Sequence, residues 1–397
     1  MTSADGVRGA EQLDNDIKLI YAVATNCLIN QHADINRTAE ILRDESNVEF
    51  IAVQDNFLTP SARFADVVLP ACTQFETWGV EDGWKYGDEV ILQPKLVEPL
   101  GESKSDYRIC AELAERLGIA QAFTEGRDEK DWVDYCLNEF RRLRFPELPT
   151  LEEFIESNLG AWTRPADKPA IAFEDFRRDP ETYPLKTPSG KIEIFSKQLF
   201  DLNNPEEIPP IPKYIQEWES PFSCHCEDVG RVGGDLPKGP YRDHRPKQSP
   251  DKQDSPASNE IASLPTASRN DIYPLQAIGH HTLHRVHSTH DNNDWLEEAF
   301  PQRVFINPLD AAPRGIQDGD EVKVYNSRGA LILPCRLTPR ILPGVVDIPQ
   351  GAWYEPDENG VDRGGCVNVL TSHHWTPFAY GTTQHTIMVQ LEKAEQL

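Results

Sequence analysis

The chain has 397 residues, room for two or three domains, and carries 65 acidic against 39 basic residues for a formal net charge of −26. That acidic excess excludes a nucleic-acid partner, since the only basic cluster is Arg141, Arg142 and Arg144 at a predicted helix end, where it suits the helix dipole. The eight cysteines show no Cys-x-x-Cys spacing, so neither a disulfide framework nor a zinc knuckle is indicated.

Residues 1–16 are polar and acidic, without the apolar core of a signal peptide. A buried strand is predicted over 18–23, then a helix over 36–42 with Ile35, Ala39 and Leu42 on one face. Strand 50–53 ends at Gln54-Asp55, a short helix follows over 61–64, and a third strand spans 66–70. Strands that are almost wholly apolar, separated by helices, indicate a parallel sheet covered on both faces. The sheet has few strands for a doubly wound domain and reads as incomplete on its N-terminal side.

A helix over 105–117 places Ile109, Leu113 and Leu117 in phase and stops at Gly118. Helices are predicted over 124–145 and 150–158, the first packing on a Trp132/Cys136/Phe140 stripe. Residues 186–196 read as a turn entering a strand. Segment 235–270, rich in Pro, Ser, Asp, Lys and Gln, reads as a disordered linker. Beyond it the pattern is all-β: strands over 303–306, 321–325, 330–333 and 343–349, with a short helix over 307–312 ended near Gly315. Short strands at even spacing with glycine-bearing turns point to a closed barrel.

Chemistry concentrates in two kinds of place. Thr25-Asn26, Gln54-Asp55 and the 102–106 helix entry lie where ligands sit in an open α/β sheet, beyond the carboxyl ends of its strands. Asn can bond a base edge or phosphate and Asp can take the paired donors of guanine, but on spacing alone turn and capping roles are the favoured reading of the same residues. The second place is 279–290, which holds five of the eleven histidines together with Arg285. Such a run asks for a polar or anionic ligand, or a metal.

Segments 24–37, 53–70, 102–107 and 187–195, and 351–354 leading to 365–371, resemble recurrent segments of the dimethyl-sulfoxide-reductase family of molybdopterin oxidoreductases, in the family's order. The likeness is nearest to the catalytic subunits of its anaerobic, membrane-bound dimethyl sulfoxide reductases. It implies an α/β fold: a partial Rossmann-like αβα parallel-sheet domain over 18–234, then a C-terminal double-psi-type β-barrel over 271–397, with 1–17 disordered and 235–270 a linker.

It further implies bis-molybdopterin guanine dinucleotide with molybdenum as cofactor. Asn26, Gln54, Asp55 and Asp106 would contact one dinucleotide. His281, Arg285, His287, Ser288 and Thr289 would line the pterins, and Asn368 and His385 would complete that wall. The reaction implied is reduction of S- or N-oxides in anaerobic respiration. An iron–sulfur electron-transfer subunit and a membrane anchor would be the partners, on a membrane that is often approached from its extracytoplasmic face.

Two features depart from the family pattern. The 4Fe-4S cysteine motif and the molybdenum ligand have no counterpart before Lys18, so the chain is read as the C-terminal portion of a catalytic subunit, with a separately encoded N-terminal half as a further partner. Segment 376–382 matches the family's closing loop only in part, which weakens the contacts near His385. Two other readings stand beside this one. A split or truncated fragment would contribute part of the cofactor pocket without activity, and a zinc hydrolase would use His280, His284 and His287 at helical spacing.

Overall fold

In the computed structural model the described residues are 17–83, 87–157, 160–165, 171–215, 217–220, 272–374, 376, 381, 385 and 387–394. The expected linker at 235–270 and residues 1–16 lie outside them.

Strands β1 (Leu19–Val23), β2 (Phe50–Asp55) and β3 (Val67–Pro70) form a parallel sheet in that order, with helix α1 (Ile35–Arg43) between the first two. Ala22, Ile51 and Val53 are buried on one face. The expected Ile35/Ala39/Leu42 stripe forms, but Ile35 and Ala39 pack against Tyr354, Cys366 and Val369 of the C-terminal part, while Leu42 bridges to the sheet's own core. The helix is therefore a wedge between the two parts of the molecule. Two bonds reinforce it: the Tyr354 hydroxyl donates to Asn36 Oδ1 at 2.8 Å, and Asp34 N donates to the Thr371 carbonyl at 3.1 Å.

Next come β4 (Gly79–Asp82) and β5 (Glu89–Gln93), helices α2 (Asp106–Arg116), α3 (Ala120–Thr124), α4 (Glu129–Leu143) and α5 (Leu151–Glu156), and β6 (Ala161–Thr163). The last strand joins β4 and β5 in an antiparallel sheet that the sequence reading does not anticipate. The helix expected over 124–145 is interrupted at Gly126, which takes φ +77°, and restarts behind a capping box of Asp128 and Asp131. Its core face is Val133 and Leu137, packed on Val90, Leu92 and Phe154; of the expected Trp132/Cys136/Phe140 stripe only Phe140 packs against that core. Cys136 is exposed and Trp132 carries the Arg127 guanidinium at 4.6 Å from its ring. Ile109 of α2 is buried as expected, whereas Leu113 and Leu117 are exposed because the buried face turns toward Ala114.

No strand forms over 186–196: Ile192 and Ile194 are exposed in irregular backbone, and the segment leads instead to a helix at Lys197–Leu202 capped by Ser196.

The C-terminal part is a closed six-stranded barrel of β7 (Leu275–Ile278), β8 (Val304–Ile306), β9 (Glu321–Tyr325), β10 (Ala330–Leu337), β11 (Val345–Asp347) and β12 (Ile387–Lys393). Two of its pairings, β10 with β8 and β11 with β7, are parallel within an otherwise antiparallel ring. Alternation explains the interior: Val322 and Val324 point in among Ile306, Leu331 and Val389 while Lys323 faces out. The helix expected at 307–312 forms at Pro308–Ala311, with the Asn307 side chain capping Leu309 N and Gly315 ending the following turn at φ +65°.

Candidate functional site

The first wall of the site is the carboxyl edge of the parallel sheet. Beyond β1 the chain turns through Ala24, at φ +50°, whose N–H donates to the Gln54 carbonyl at 2.9 Å. This turn delivers Asn26, buried, with Oδ1 accepting Ser61 N at 3.0 Å and Nδ2 buried with no partner among the described residues.

Gln54 is fully buried and its side chain is spent: Oε1 accepts the Tyr21 hydroxyl and Nε2 donates to Asp106 Oδ1 at 2.5 Å. Gln54 therefore braces Asp106 at the first turn of α2, where Ser105 is the cap. Asp55, one residue on, points outward. Burial raises its carboxyl pKa, and donation from the Asn56 and Phe57 N–H groups partly offsets that rise.

The second wall is the histidine run. It forms turns and one isolated bridge between Val286 and Thr289, not a helix. His287 and His290 adopt left-handed backbone, at φ +51° and +74°. The close approach of Gly351 makes this possible, since a Cβ there would lie 1.8 Å from the His287 carbonyl oxygen. Without a helix, His280, His284 and His287 lose the spacing a zinc site needs. His280 instead pairs with Asp347 at 2.6 Å, and His284 stacks on Phe300 at 4.9 Å. Among the described residues no group of three or more His, Cys, Asp or Glu is placed to hold a metal.

Arg285 is buried beneath this turn. It pairs with Asp291 at 2.7 Å and donates to Gln302 Oε1 at 2.8 Å, and Asp291 in turn accepts the Trp353 N–H at 2.6 Å. The arginine holds the run in shape from behind.

Between these walls lie two cavities that share Ser288. One, of about 780 Å³, is lined by Asn26, Asp55, Thr289, Trp295 and Trp353. The other, of about 550 Å³, is lined by His281, His287 and Asn368 and also by His32 and His373. Asn368 is nearly buried: Nδ2 donates to the Asn30 carbonyl at 2.9 Å, and Oδ1 has no partner among the described residues.

Seven of the eleven candidate residues thus line the two cavities: Asn26, Asp55, His281, His287, Ser288, Thr289 and Asn368. Gln54, Asp106, Arg285 and His385 line neither; His385 accepts Gly279 N at 3.3 Å through Nδ1. His32 and His373 are additions, and nothing in their own sequence spacing pairs them with the histidine run.

Two buried carboxamide atoms without a partner among the described residues belong to these walls: a donor, Asn26 Nδ2, in one cavity and an acceptor, Asn368 Oδ1, in the other. A buried amide atom left unbonded in a cleft implies a ligand or water that completes it. A ligand that offers an acceptor to Asn26 and a donor to Asn368 fits this placement.

Comparison with known proteins agrees with that chemistry. Residues 3–116 match the family profile Molybdopterin oxidoreductase, and residues 275–388 match Molydopterin dinucleotide binding domain. The chain is 41% identical to the dimethyl sulfoxide reductase of Escherichia coli, over 98% of this chain and 43% of that protein. It is 37% identical to that of Haemophilus influenzae, over 98% and 44%. It is 32% identical to a dimethyl sulfoxide/trimethylamine N-oxide reductase of Cereibacter sphaeroides, over 97% and 42%. It therefore spans less than half the length of these relatives. In fold it is similar to acetylene hydratase from Pelobacter acetylenicus, with a TM-score of 0.65 at 21% identity, covering 95% of this chain and 44% of that one.

Proposed function

Because this chain belongs to the dimethyl-sulfoxide-reductase family of molybdopterin oxidoreductases, we propose that it forms part of a catalytic subunit that binds bis-molybdopterin guanine dinucleotide and reduces S- or N-oxides. The observation that carries the reading is the pair of cavities that share Ser288, each with one unsatisfied buried amide atom. When bound, the cofactor supplies the two-electron chemistry of molybdenum; the protein binds it, orients it and sets its electrostatics.

Asn26, Asp55 and Thr289 would hold the dinucleotide in the larger cavity. His281, His287, Ser288 and Asn368 would face the pterin in the smaller one, matching imidazole donors to its acceptors and the Asn368 carbonyl oxygen to its N–H groups. Gln54 and Arg285 act behind them, and Asp106 and His385 would meet the cofactor only where it extends past the two cavities.

In this reading residues 18–234 are one domain and 271–397 another, the latter of the double-psi type. A 4Fe-4S cluster and the molybdenum ligand come from polypeptide outside this chain. An iron–sulfur subunit delivers electrons, a membrane anchor docks the complex, and the assembly sits at a membrane as a respiratory complex.

The test is compositional. The chain, co-produced with the remainder of the subunit, should yield molybdenum and guanosine monophosphate on acid release in the ratio a bis-dinucleotide requires. It should also oxidise a reduced viologen dye with dimethyl sulfoxide or trimethylamine N-oxide. Recovery of neither molybdenum nor guanine from a folded complex would overturn the proposal.

A further inference from the structure

The smaller cavity has a feature that holding a ligand does not require. Four imidazoles reach it from three separate stretches: His32 after β1, His281 and His287 in the run, and His373 beyond Asn368. The His281 and His287 rings meet edge to face with centroids 5.4 Å apart. His32 is pushed toward the neutral form, chiefly by the protein packed around it and secondarily by His373. No Asp, Glu, Lys or Arg lines the cavity among the described residues. The buried Cys366 thiol, its pKa raised well above normal, is the remaining titratable group in the wall. Asp34 follows His32 by two residues, and the paired charges of Arg285 and Asp291 lie behind the run.

We propose that these four histidines are a shared proton store that supplies the protons an oxide reduction consumes. The proposal rests on the oxide-reductase reading. Reduction of a sulfoxide takes two electrons and two protons: the sulfur–oxygen bond breaks, sulfur is reduced to the sulfide, and the oxygen leaves as water. The electrons come from the iron–sulfur partner, and the protons must arrive in step with them.

Imidazole is the side chain whose ordinary pKa lets it take up and give back a proton near neutral pH. At His32 the packed protein and the neighbouring His373 both oppose the charged ring, so a proton taken up there is readily given back. With no carboxylate among the described residues of the wall to trap the proton, the arrangement favours transfer over retention in one fixed ion pair.

Two measurements separate this proposal from the function on which it rests. In the chain itself, NMR titration of the ring signals should show His32 moving to higher pKa in the His373→Asn variant. A His32 titration unchanged by that substitution would overturn the store. In the molybdenum-loaded complex, His32→Asn with His373→Asn should keep full molybdenum and guanine content. Its kcat should fall above neutral pH by on the order of 100-fold, the lower end of general-acid contributions. Added imidazole should restore part of the rate. A kcat loss that tracks lost cofactor, with no change in the pH profile and no rescue, would make these histidines positioning groups and sink the proposal. Coupled titration in a complex that reduces no oxide would instead overturn the function and leave the coupling standing.

Discussion

Asn30 grips the backbone around Tyr354 from both sides: its Oδ1 accepts the Tyr354 N–H at 2.8 Å while its Nδ2 donates to the Ala352 carbonyl at 3.0 Å. Asn30 follows β1, and Tyr354 belongs to the barrel part more than three hundred residues away, so one carboxamide clamps the two walls of the site together. All of these groups are buried, and water cannot replace what is removed. Asn30→Ala should therefore cost about 2–6 kcal/mol, from ~1–3 kcal/mol for each of the two buried groups left unbonded. Denaturant unfolding measures it. A change within a few tenths of a kcal/mol would mean that the clamp is dispensable.

Gly351 occupies a position no other residue can fill. Its φ is +99°, and a Cβ would meet the His287 carbonyl at 1.8 Å. Gly351→Ala must displace the left-handed turn at His287, at a cost of about 2–5 kcal/mol from backbone strain and overpacking together. Since that turn lines the smaller cavity, guanine content of the loaded complex should fall together with the melting temperature. A stable variant with normal guanine content would show that the run's shape is not what the cofactor needs.

How much of this could be read beforehand varies with the range of the interactions. The three parallel strands, α1, and the Asn307–Gly315 helix with its stop are set by local apolar periodicity and capping, and they form where expected. The strand expected over 186–196 fails because alternation of Ile192 and Ile194 needs a partner strand and a face to bury against, and neither is present among the described residues. The pairing of β6 with β5 depends on contacts about seventy residues apart, which no local window contains. Side-chain roles are harder still. Gln54 and Arg285 have the donor chemistry of ligand contacts, yet each is engaged inside the protein, Gln54 by Tyr21 and Asp106 and Arg285 by Asp291 and Gln302. His32 and His373 become neighbours of the histidine run only when the barrel closes against the sheet.

The buried Arg285–Asp291 pair makes the arginine's bracing role testable. Burial raises the Asp291 carboxyl and lowers the Arg285 guanidinium, and each charge is tolerable chiefly because the other is beside it. Arg285→Ala should destabilise the protein by about 3–5 kcal/mol, since it leaves a buried carboxylate alone. Arg285→Met combined with Asp291→Leu should recover most of that loss. If the single and double variants were equally unstable, the cost would lie in lost packing and not in the orphaned charge.

Asp362 gives the chain a pH dependence of unusual sign for a carboxylate. It is fully buried, with Oδ1 accepting Glu355 N and Oδ2 accepting Gly365 N and Cys366 N, each at 2.7 Å. Those bonds favour the anion, but burial outweighs them and the pKa is pushed up to about 6 from 3.8. The folded state then binds this proton more tightly than the unfolded chain does. Its contribution to stability is complete below the unfolded pKa, and it is lost as pH rises through the folded one. The window is therefore between pH values near 4 and 6, and a displacement of that size corresponds to roughly 3 kcal/mol. Asp362→Asn cannot ionise, and its amide nitrogen cannot accept the N–H groups that one carboxylate oxygen now takes. The variant should be less stable than the parent at the acid end of the window. The gap should narrow steadily as pH rises to neutrality, because only the parent loses stability over that range. Urea denaturation of both proteins at intervals across the window measures the gap directly. Parallel stability curves would show that the carboxyl titrates alike in the folded and unfolded states, and that burial does not govern it.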